Sequence, residues 1–560
     1  MKDSRFMKKI ALFLVFSCSW FVVRAQLDNT VEVTNEVKPV VTDVKKVDVK
    51  TKAAETKVTH YTMQYAVAGQ ALNNYAPEPL GDYESEAVWK GRKKGYVHLS
   101  GGSHGNLDGK IGYQFDLTEN DAFNIDLSLK GFNGTVKDND YYGVKDWKSR
   151  DYRNRAALKY NHRFDNGVDF FAKGAFENHL FNYSGGYGVT DKQHNVLGDF
   201  EVGITPYQVG DFSIGAKAGV DFFGQNYCTS LVKKLGETFF HGDADAAYRI
   251  TDEHRIGLGL SFVGSSYRND ELKGIGRFRF TPHYLYNTEQ MAVKLGVFVS
   301  TKGNIAPDVA FTYHLTPQSD VYVEARGYEE DNNLRHLSAI HPYFALNGYI
   351  GTYGSNIIDM EAEFHQMDAR LGYRFKGKNG FSGNISGGFD LSKNHANMTW
   401  ISNSLNGIDF PWMEFSKSKC FYVSADFIYA YKDIVKVDAR NRVNIESNKD
   451  GVMDWLEGSY ITPAFNMNWK ADFKLIKGLY VGLDWQLLCF SNPAIDVIPG
   501  PAYERPNIVN LGASVRYTLP VDLPLTVFVK GDNLFNQNYD RYFGYRNIGT
   551  NFLAGFAMSF

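Results

Sequence analysis

Apolar side chains alternate with small, polar or charged side chains over many strand-length stretches between residue 93 and the C-terminus. The clearest stretch runs in the order Leu479, Tyr480, Val481, Gly482, Leu483, Asp484, Trp485, Gln486 and Leu487. Similar stretches cover residues 123–130, 256–262, 421–429 and 509–517. A period of two places successive side chains on opposite faces of a β-strand. The pattern therefore predicts an all-β fold whose strands each have one apolar face.

The connections between these stretches alternate between short and long along the chain. Short connections are predicted at residues 118–121, 164–167, 208–211, 251–254, 287–290, 316–320, 376–380, 432–434, 477–478 and 519–523. The longer segments include residues 137–150, 182–192, 327–357, 393–416, 447–460, 491–506 and 536–548. Short periplasmic turns and long extracellular loops are typical of outer-membrane barrels, which have an even number of strands. The segmentation predicts a transmembrane antiparallel β-barrel of about 22 strands, with its weakest boundary at residues 302–307.

Charged residues occupy many of the positions opposite the apolar face. The residues predicted to face the lumen are Lys130, Lys173, Glu177, Lys217, Asp221, Arg370, Arg374, Asp484, Arg516 and Lys530. Alternation by itself also fits a soluble β-sandwich, in which such residues would meet bulk water, so the loop lengths decide for a barrel. Charged groups tolerate burial only when they are hydrated or paired. We therefore expect a lumen that holds water or is crossed by ion pairs.

The N-terminus has the organisation of a secretory signal peptide. Lys8 and Lys9 precede an apolar run at residues 10–16, and Val23-Arg24-Ala25 fits a cleavage site after Ala25. An acylated Cys18 is the alternative, but it leaves apolar residues after the cut unexplained. The predicted domains are a signal peptide at residues 1–25, a periplasmic extension at residues 26–92 and an outer-membrane barrel at residues 93–560. The extension has few positions that could build a core, so we expect it to be partly extended and partly disordered.

Composition narrows the choice of partners and compartments. The chain has 560 residues, of which 60 are basic and 63 acidic, so it lacks the basic excess that holds nucleic acid. Its one long apolar run is the N-terminal one, which excludes a helical membrane protein. The mature chain keeps Cys228, Cys420 and Cys489 without CxxC spacing, which indicates neither a disulfide framework nor a zinc site. A mean hydropathy of −0.34 is compatible with a barrel, because only alternate residues face lipid.

The C-terminal region resembles a known family. Residues 529–539, Val-Lys-Gly-Asp-Asn-Leu-Phe-Asn-Gln-Asn-Tyr, look like the end of the barrel of TonB-dependent receptors. Phe556, Met558 and the terminal Phe560 share one face of the last predicted strand, which resembles the barrel-assembly signal of outer-membrane proteins. The resemblance covers most of residues 93–560. It implies the outer membrane of a Gram-negative bacterium, contact with its lipid and lipopolysaccharide, and insertion by the barrel-assembly machinery.

The sequence departs from that family at its N-terminus. A plug domain that fills the lumen of such barrels has on the order of a hundred residues or more, and residues 26–92 are too few and too polar to form one. Residues 30–34 look like a TonB box, and residues 36–43 resemble the start of short, plug-less receptor-like barrels of Bacteroidetes. Without a plug, energy-coupled transport does not carry over from the family.

Two short motifs could carry chemistry. Residues 101–105 match GxSxG, but they follow a strand and do not form the strand-to-helix turn of a nucleophile elbow, so a glycine-rich loop is expected. A metal could bind to a second group, which consists of Glu361, Glu363, His365 and Asp368. A strand would place the first three on one face, but we favour a polar lumen face leading into the strand of Arg370. No catalytic residue, metal, cofactor or enzyme activity is predicted.

Large aromatic residues in the long segments could contact a ligand. Trp147, Trp400 and Trp412 are the candidates, because indole rings stack on sugars and peptides. The alternative, which we favour, is that they pack the loops together or lie at the headgroup level of the membrane.

Two functional hypotheses follow from the predicted barrel. The first is passage or uptake of a solute through an open or loop-occluded lumen. The second is a non-transporting scaffold, or an accessory subunit of an outer-membrane complex, that binds periplasmic or outer-membrane partner proteins through residues 26–92 and the extracellular loops. The sequence alone names no solute or partner.

Overall fold

The structure is a computed structural model, and it covers most of the predicted barrel. It describes residues 94–136, 147–182, 192–225, 234–270, 272–342, 345–346, 358–377, 380–403, 408–447, 462–490, 507–521, 525–542 and 545–560. The predicted signal peptide, the extension at residues 26–92 and Cys228 lie outside the described residues.

One closed antiparallel sheet of 22 strands forms the protein wall. The strands are β1 Gly95–Gly102, β2 Leu107–Asp116, β3 Asp121–Val136, β4 Trp147–Arg163, β5 Asp169–Asn182, β6 Lys192–Val209, β7 Phe212–Gln225, β8 Gly236–Arg249, β9 His254–Tyr267, β10 Gly276–Asn287, β11 Met291–Ser300, β12 Ile305–Thr316, β13 Ser319–Glu330, β14 Glu363–Lys376, β15 Phe381–Asn403, β16 Ile408–Tyr431, β17 Val435–Ser447, β18 Phe465–Ile476, β19 Leu479–Cys489, β20 Ile508–Thr518, β21 Leu525–Asp532 and β22 Asn551–Ser559. The predicted all-β barrel of about 22 strands is confirmed.

The sheet closes between its first and last strands. Each strand pairs with the next along the chain, and β22 also pairs with β1 from Tyr96 opposite Ser559 to Gly102 opposite Leu553. At one end of this seam, the Lys94 amide donates a hydrogen bond of 2.9 Å to the Phe560 carbonyl oxygen. We call the barrel end that holds this contact the terminal rim, and the opposite end the loop rim.

The predicted short connections all join strands at the terminal rim. Two-residue turns there include Lys477-Gly478, in which Gly478 has a φ of +81°, a left-handed conformation that favours glycine. Most connections at the loop rim are longer, but three have four residues each: residues 103–106 between β1 and β2, 301–304 between β11 and β12, and 404–407 between β15 and β16. The second of these lies at the boundary where the sequence pattern is weakest. The prediction of a long loop at residues 393–416 is wrong, because β15 and β16 extend through most of this segment and pair up to Asn403 opposite Ile408.

The outer and inner surfaces of the barrel differ as the alternation predicts. Phe421 and Val423 on β16 are 57% and 58% exposed, whereas Tyr422 between them is 7% exposed and faces inward. On β19, Leu483 and Trp485 are exposed on the outer side. An outer surface with this many large apolar side chains suits lipid better than water.

Two neighbouring strands, β14 and β15, contain β-bulges close to the loop rim. The pairing of β14 with both of its neighbours shifts register between His365 and Asp368, and the pairing of β15 with β16 shifts between Ser392 and His395. A bulge inserts one residue and so reverses which positions face inward beyond it. The bulge on β14 therefore lets His365 face the lumen together with Arg370, although the two positions differ in parity.

Few elements besides the barrel strands are present in the described residues. They are the helix α1 Leu334–Ile340, the 3₁₀ turn Ser103–Gly105, and the short strands Leu272–Lys273, Ala345–Leu346, Ile358–Asp359, Asp540–Tyr542 and Tyr545–Arg546. Within this described part of the chain, no helix is long and apolar enough to cross a bilayer. Cys420 and Cys489 are both free thiols.

Substitution of Gly102 tests the β1–β22 seam. A Cβ atom at Gly102 would collide with the carbonyl oxygen of Phe552, whereas a Cβ at Gly101 would meet Leu107 Cδ2 at 3.7 Å, an ordinary contact. We expect Gly102→Ala to destabilise the folded barrel by about 1–3 kcal/mol through overpacking, and Gly101→Ala to leave it nearly unchanged. Thermal unfolding of both variants in detergent, followed by circular dichroism, measures the difference. Equal unfolding temperatures would contradict this view of the seam.

Candidate functional site in the barrel lumen

The connection between β13 and β14 carries a short helix, α1. The helix begins after Asn333, whose side-chain oxygen accepts a hydrogen bond of 2.7 Å from the His336 amide. Leu334 and Leu337 are fully buried and Ile340 is nearly so, which gives the helix one apolar face. A helix of seven residues is not stable alone in water. Its formation therefore depends on what this face contacts.

The apolar face of α1 belongs to a buried cluster inside the barrel. Besides the helix residues, the cluster includes Leu197 on β6, Phe223 on β7, Ala396 on β15 and Met413 on β16. In the strand order, β7 and β15 are eight positions apart. The connection thus folds into the lumen and links distant parts of the wall.

Polar contacts fix the start of α1 to the wall. Arg335 Nη1 lies 3.0 Å from Asp221 Oδ1, and Arg335 Nη2 lies 3.1 Å from Asp199 Oδ1. The Leu334 amide donates a hydrogen bond of 2.7 Å to Glu237 Oε2. These three acidic residues lie on the adjacent strands β6, β7 and β8. They form an acidic patch that receives the helix N-terminus and its guanidinium.

A second connection meets the end of α1. His341, which caps the helix through its amide and the Leu337 carbonyl oxygen at 3.0 Å, packs its ring edgewise on Tyr542 at 5.6 Å. Tyr542 belongs to the connection between β21 and β22, and its hydroxyl accepts a hydrogen bond of 3.0 Å from Arg153 Nη2. Both His341 and Tyr542 are buried. Two inward-folded connections therefore narrow the lumen near the loop rim.

Buried imidazoles and carboxylates gather where the first of these connections leaves and rejoins the wall. Glu330 is the last residue of β13, and Glu363 is the first residue of β14. His395 Nδ1 contacts Glu363 Oε1 at 2.8 Å, and His395 Nε2 lies 3.4 Å from Glu446 Oε1. We call this group, completed by His365 and Asp390, the imidazole–carboxylate cluster.

His365 lies at the centre of the cluster. Its Nδ1 contacts Asp390 Oδ2 at 2.6 Å, and its ring stacks on Tyr328 at 4.3 Å. Its Nε2 is buried without a hydrogen-bond partner, 3.3 Å from Glu363 Oε1 and 4.0 Å from Glu330 Oε2. One donor atom each from Glu330, Glu363 and His365 lies within 4.8 Å of the others, and this donor set could hold a metal ion.

The helix also reaches the cluster. His336 Nδ1 on α1 lies 3.7 Å from Glu330 Oε1. Burial lowers the pKa of His336 below its usual value, which favours the neutral imidazole. The lumenal helix and the cluster are therefore neighbouring parts of one site.

The four residues that the sequence grouped as a possible metal site do not all meet. Glu363 and His365 come together, but Glu361 precedes β14 and its Oε2 accepts a hydrogen bond of 3.1 Å from Asn394. Asp368 lies beyond the bulge, where its Oδ1 accepts a hydrogen bond of 3.1 Å from the Tyr422 hydroxyl. The third residue beside Glu363 and His365 is instead Glu330.

The residues predicted to face the lumen lie on strands, and many of them form ion pairs within 4.0 Å. The pairs are Lys173–Glu201 at 2.8 Å, Glu177–Arg155 at 3.8 Å, Lys217–Glu201 at 3.5 Å, Asp221–Arg335 at 3.0 Å, Arg370–Glu324 at 2.8 Å, Arg374–Asp320 at 4.0 Å, Arg516–Asp472 at 2.9 Å and Lys530–Asp484 at 4.0 Å. Lys130 lies opposite Asp108 and Arg153 in the strand register. Most of these ion-pair partners could not be predicted from the sequence, because pairing depends on the cross-strand register.

The remaining predicted residues lie near the two rims. Trp147 begins β4, and Trp400 and Trp412 lie on β15 and β16, but the side chains of all three are outside the described set. Phe556 and Phe560 are exposed on the outer side of the C-terminal strand, and Met558 lies opposite Val97 on β1.

The GxSxG segment forms a loop between two strands. Ser103–Gly105 is a 3₁₀ turn between β1 and β2, and Ser103 Oγ accepts a hydrogen bond of 2.9 Å from the Phe552 amide. The serine thus contacts the backbone of the last strand at the seam. This is not the strand-to-helix turn of a nucleophile elbow.

Comparison with known proteins identifies the barrel fold. No protein-family model and no curated protein matches the sequence. Among solved structures, the FrpB iron transporter from Neisseria meningitidis matches with a TM-score of 0.63 at 9% identity, over 84% of this chain and 82% of that one. A ferric enterobactin receptor from Pseudomonas aeruginosa, PfeA in complex with enterobactin, matches with a TM-score of 0.63 at 12% identity, over 84% and 81%. The copper transporter OprC matches with a TM-score of 0.61 at 11% identity, over 84% and 80%.

These neighbours are TonB-dependent receptors with 22-stranded barrels. The neighbouring proteins are transporters and receptors. The resemblance found in the C-terminal sequence is therefore supported for the barrel. At identities this low, the likeness establishes the fold alone.

Removal of the Arg335 guanidinium tests how α1 is held. Arg335→Ala deletes two contacts with carboxylates, so we expect the free energy for local opening of residues 334–340 to fall by about 1–3 kcal/mol. Hydrogen–deuterium exchange of the purified protein measures this change. Arg249→Ala removes an ion pair of 2.9 Å with Asp211 at the terminal rim and serves as the matched control. Unchanged exchange of the helix in Arg335→Ala would show that the ion pairs do not hold it.

Proposed function

We propose that the protein is an outer-membrane barrel that passes or takes up a solute through its lumen, and that the connection carrying α1 occludes this path. The observation that carries the proposal is the docking of α1 inside the barrel, where Arg335 joins it to Asp199 and Asp221. A helix held in the lumen by a few side chains can both block a path and leave it.

The contacts of α1 suit a movable obstruction. The helix has seven residues and is held by one apolar cluster, one guanidinium and one hydrogen bond to Glu237. Pairs between a guanidinium and carboxylates can exchange partners with water or a charged solute more readily than buried apolar contacts can. Arg155, at 3.7 Å from the same Asp199, offers this carboxylate another partner when the helix leaves.

The wall charges indicate the class of solute. Basic and acidic residues of the wall alternate in pairs such as Lys173–Glu201 and Arg370–Glu324. A wall of paired charges is wettable without a strong field of one sign. This favours a polar or charged solute over an apolar one. The neighbouring structures are described as iron, copper and ferric enterobactin transporters or receptors, which supports uptake as the general activity but names no solute for this chain.

The proposal includes the absence of a separate plug domain. Residues 26–92 are fewer than the hundred or so of a plug, so in this chain the inward-folded connections would take over part of its role. The segment at residues 36–43 supports assignment to the plug-less receptor-like barrels of Bacteroidetes. The outer-face position of Phe556 and Phe560 supports insertion into a Gram-negative outer membrane, in contact with lipid and lipopolysaccharide, by the barrel-assembly machinery.

Conductance in a planar bilayer tests the occluded-path hypothesis. We expect the wild type to carry little steady current and Arg335→Ala to carry at least severalfold more, because α1 then spends more time away from the wall. Deletion of residues 334–340 should give the largest current. Arg249→Ala, at the terminal rim and away from the helix, should behave as the wild type does.

The same preparation distinguishes the scaffold hypothesis. If every variant stays closed while periplasmic or outer-membrane proteins co-purify with the full chain in fixed ratio, and are lost when residues 26–92 are deleted, the protein is a scaffold. A large current through the wild type, unchanged by deletion of residues 334–340, would keep the transport function and reject α1 as the obstruction.

A further inference from the structure

We propose that Glu330, Glu363 and His365 form a binding site for one divalent first-row transition metal ion at the loop-rim ends of β13 and β14. The site would tie together the two ends of the connection that carries α1. This inference does not depend on whether the barrel transports a solute.

The separations of the donor atoms suit a small metal ion. A tetrahedral ion with bonds of 2.0–2.2 Å places its ligand atoms about 3.4 Å apart. His365 Nε2 lies 3.3 Å from Glu363 Oε1, which matches that edge, and 4.0 Å from Glu330 Oε2. Glu330 stands at the end of its strand and is less buried than the other two residues. Glu330 is therefore the ligand whose side chain would move when an ion binds.

The second ring nitrogen of His365 is held as it is in known metal sites. Metal-binding imidazoles donate their other N–H to a carboxylate, which fixes the tautomer and the ring orientation. Here Nδ1 contacts Asp390 Oδ2 at 2.6 Å; in the neutral tautomer that carries its proton on Nδ1, the lone pair is on Nε2. The Tyr328 ring, stacked at 4.3 Å, fixes the plane of the imidazole. His365 is thus oriented towards the two glutamates before any ion arrives.

An unsatisfied nitrogen atom in the cluster also supports a bound metal ion. His365 is 8% exposed, and its Nε2 has no hydrogen-bond partner. A buried nitrogen without a partner costs about 1–3 kcal/mol. An ion bound between His365, Glu363 and Glu330 would remove that cost. The unsatisfied nitrogen therefore supports the site independently of the acidic residues.

The carboxylates of the cluster also favour binding of a cation. Glu330, Glu363, Asp390 and Glu446 are four carboxylates, and their ion-pair partners in the described part of the chain are all imidazoles. The nearby Arg277 and Arg279 pair instead with Glu329 and Asp331. Buried charges require compensation, and a divalent ion supplies two positive charges at the place where the carboxylates converge.

The donor chemistry selects the class of metal. One imidazole nitrogen and two carboxylate oxygens are a mixed set that suits Zn²⁺, Mn²⁺, Fe²⁺ or Co²⁺. Calcium and magnesium prefer sites made of oxygen alone. We therefore expect first-row transition ions to bind in preference to Ca²⁺ and Mg²⁺.

Metal titration of the purified full-length chain tests the site. The protein is prepared in detergent without a polyhistidine tag, stripped with chelator and titrated with Zn²⁺ by calorimetry, and Co²⁺ absorption reports coordination by protein ligands. We expect one ion per chain, with no comparable binding of Ca²⁺. His365→Ala should abolish this binding or weaken it more than Asp390→Asn does. Asp390→Asn, which leaves the ligands but loosens the ring, should weaken it about 10–100-fold.

The matched control is His314→Ala. His314 forms a similar pair with Asp320, at 2.6 Å, at the other end of the neighbouring strands, so its loss should leave Zn²⁺ affinity unchanged. Glu330→Gln keeps the size of the side chain and provides a second test if His365→Ala does not fold. The absence of stoichiometric Zn²⁺ binding to the folded wild type, or affinity unaltered in both His365→Ala and Glu330→Gln, would overturn the proposal and leave the cluster as an ion-pair network. Bilayer current is not a readout here, so failure of the transport hypothesis would not affect the result.

Discussion

Closure of the sheet is the constraint on which the rest of this structure depends. In hydrocarbon, an unpaired backbone N–H or C=O costs several kcal/mol, so a β-sheet can span a membrane only when it has no free edge. The pairing of β1 with β22, extended by the Lys94 and Phe560 contact, removes both edges. With the backbone satisfied in the wall, side chains on one face can be apolar throughout. The other face is free to carry charge, and this explains a chain that is polar on average.

Closing 22 strands creates a second problem, since barrels of this size enclose a wide lumen. This chain narrows its lumen with its own connections, through α1 and through the segment of Tyr542. The barrel stabilises the short helix, because the wall buries Leu334 and Leu337 and its carboxylates pair with Arg335. The wall therefore stabilises α1, which at seven residues is too short to be stable alone in water.

The loop-rim ends of β13, β14 and β15 show how irregularity serves the site. A regular strand would point His365 and Arg370 to opposite faces, and His395 would not meet Glu363. The two bulges, on β14 and β15, bring residues of both parities onto the lumenal face at one level of the wall. The ends of β13 and β14 also anchor the connection that carries α1, and His336 on the helix lies 3.7 Å from Glu330.

Sequence patterns alone predicted an all-β barrel of about 22 strands, the short connections at one rim and the apolar and polar faces of the strands. These features are local, because the alternation of apolar and polar residues and the length of a turn can both be seen within a short stretch of sequence. The sequence did not determine that Arg335 meets Asp199, that Glu330 joins Glu363, or that His395 lies beside them, although each is a visible polar residue. These contacts join positions 32 to 136 residues apart. Strand register, bulges and the inward fold of one long connection decide them, and those are properties of the closed barrel as a whole.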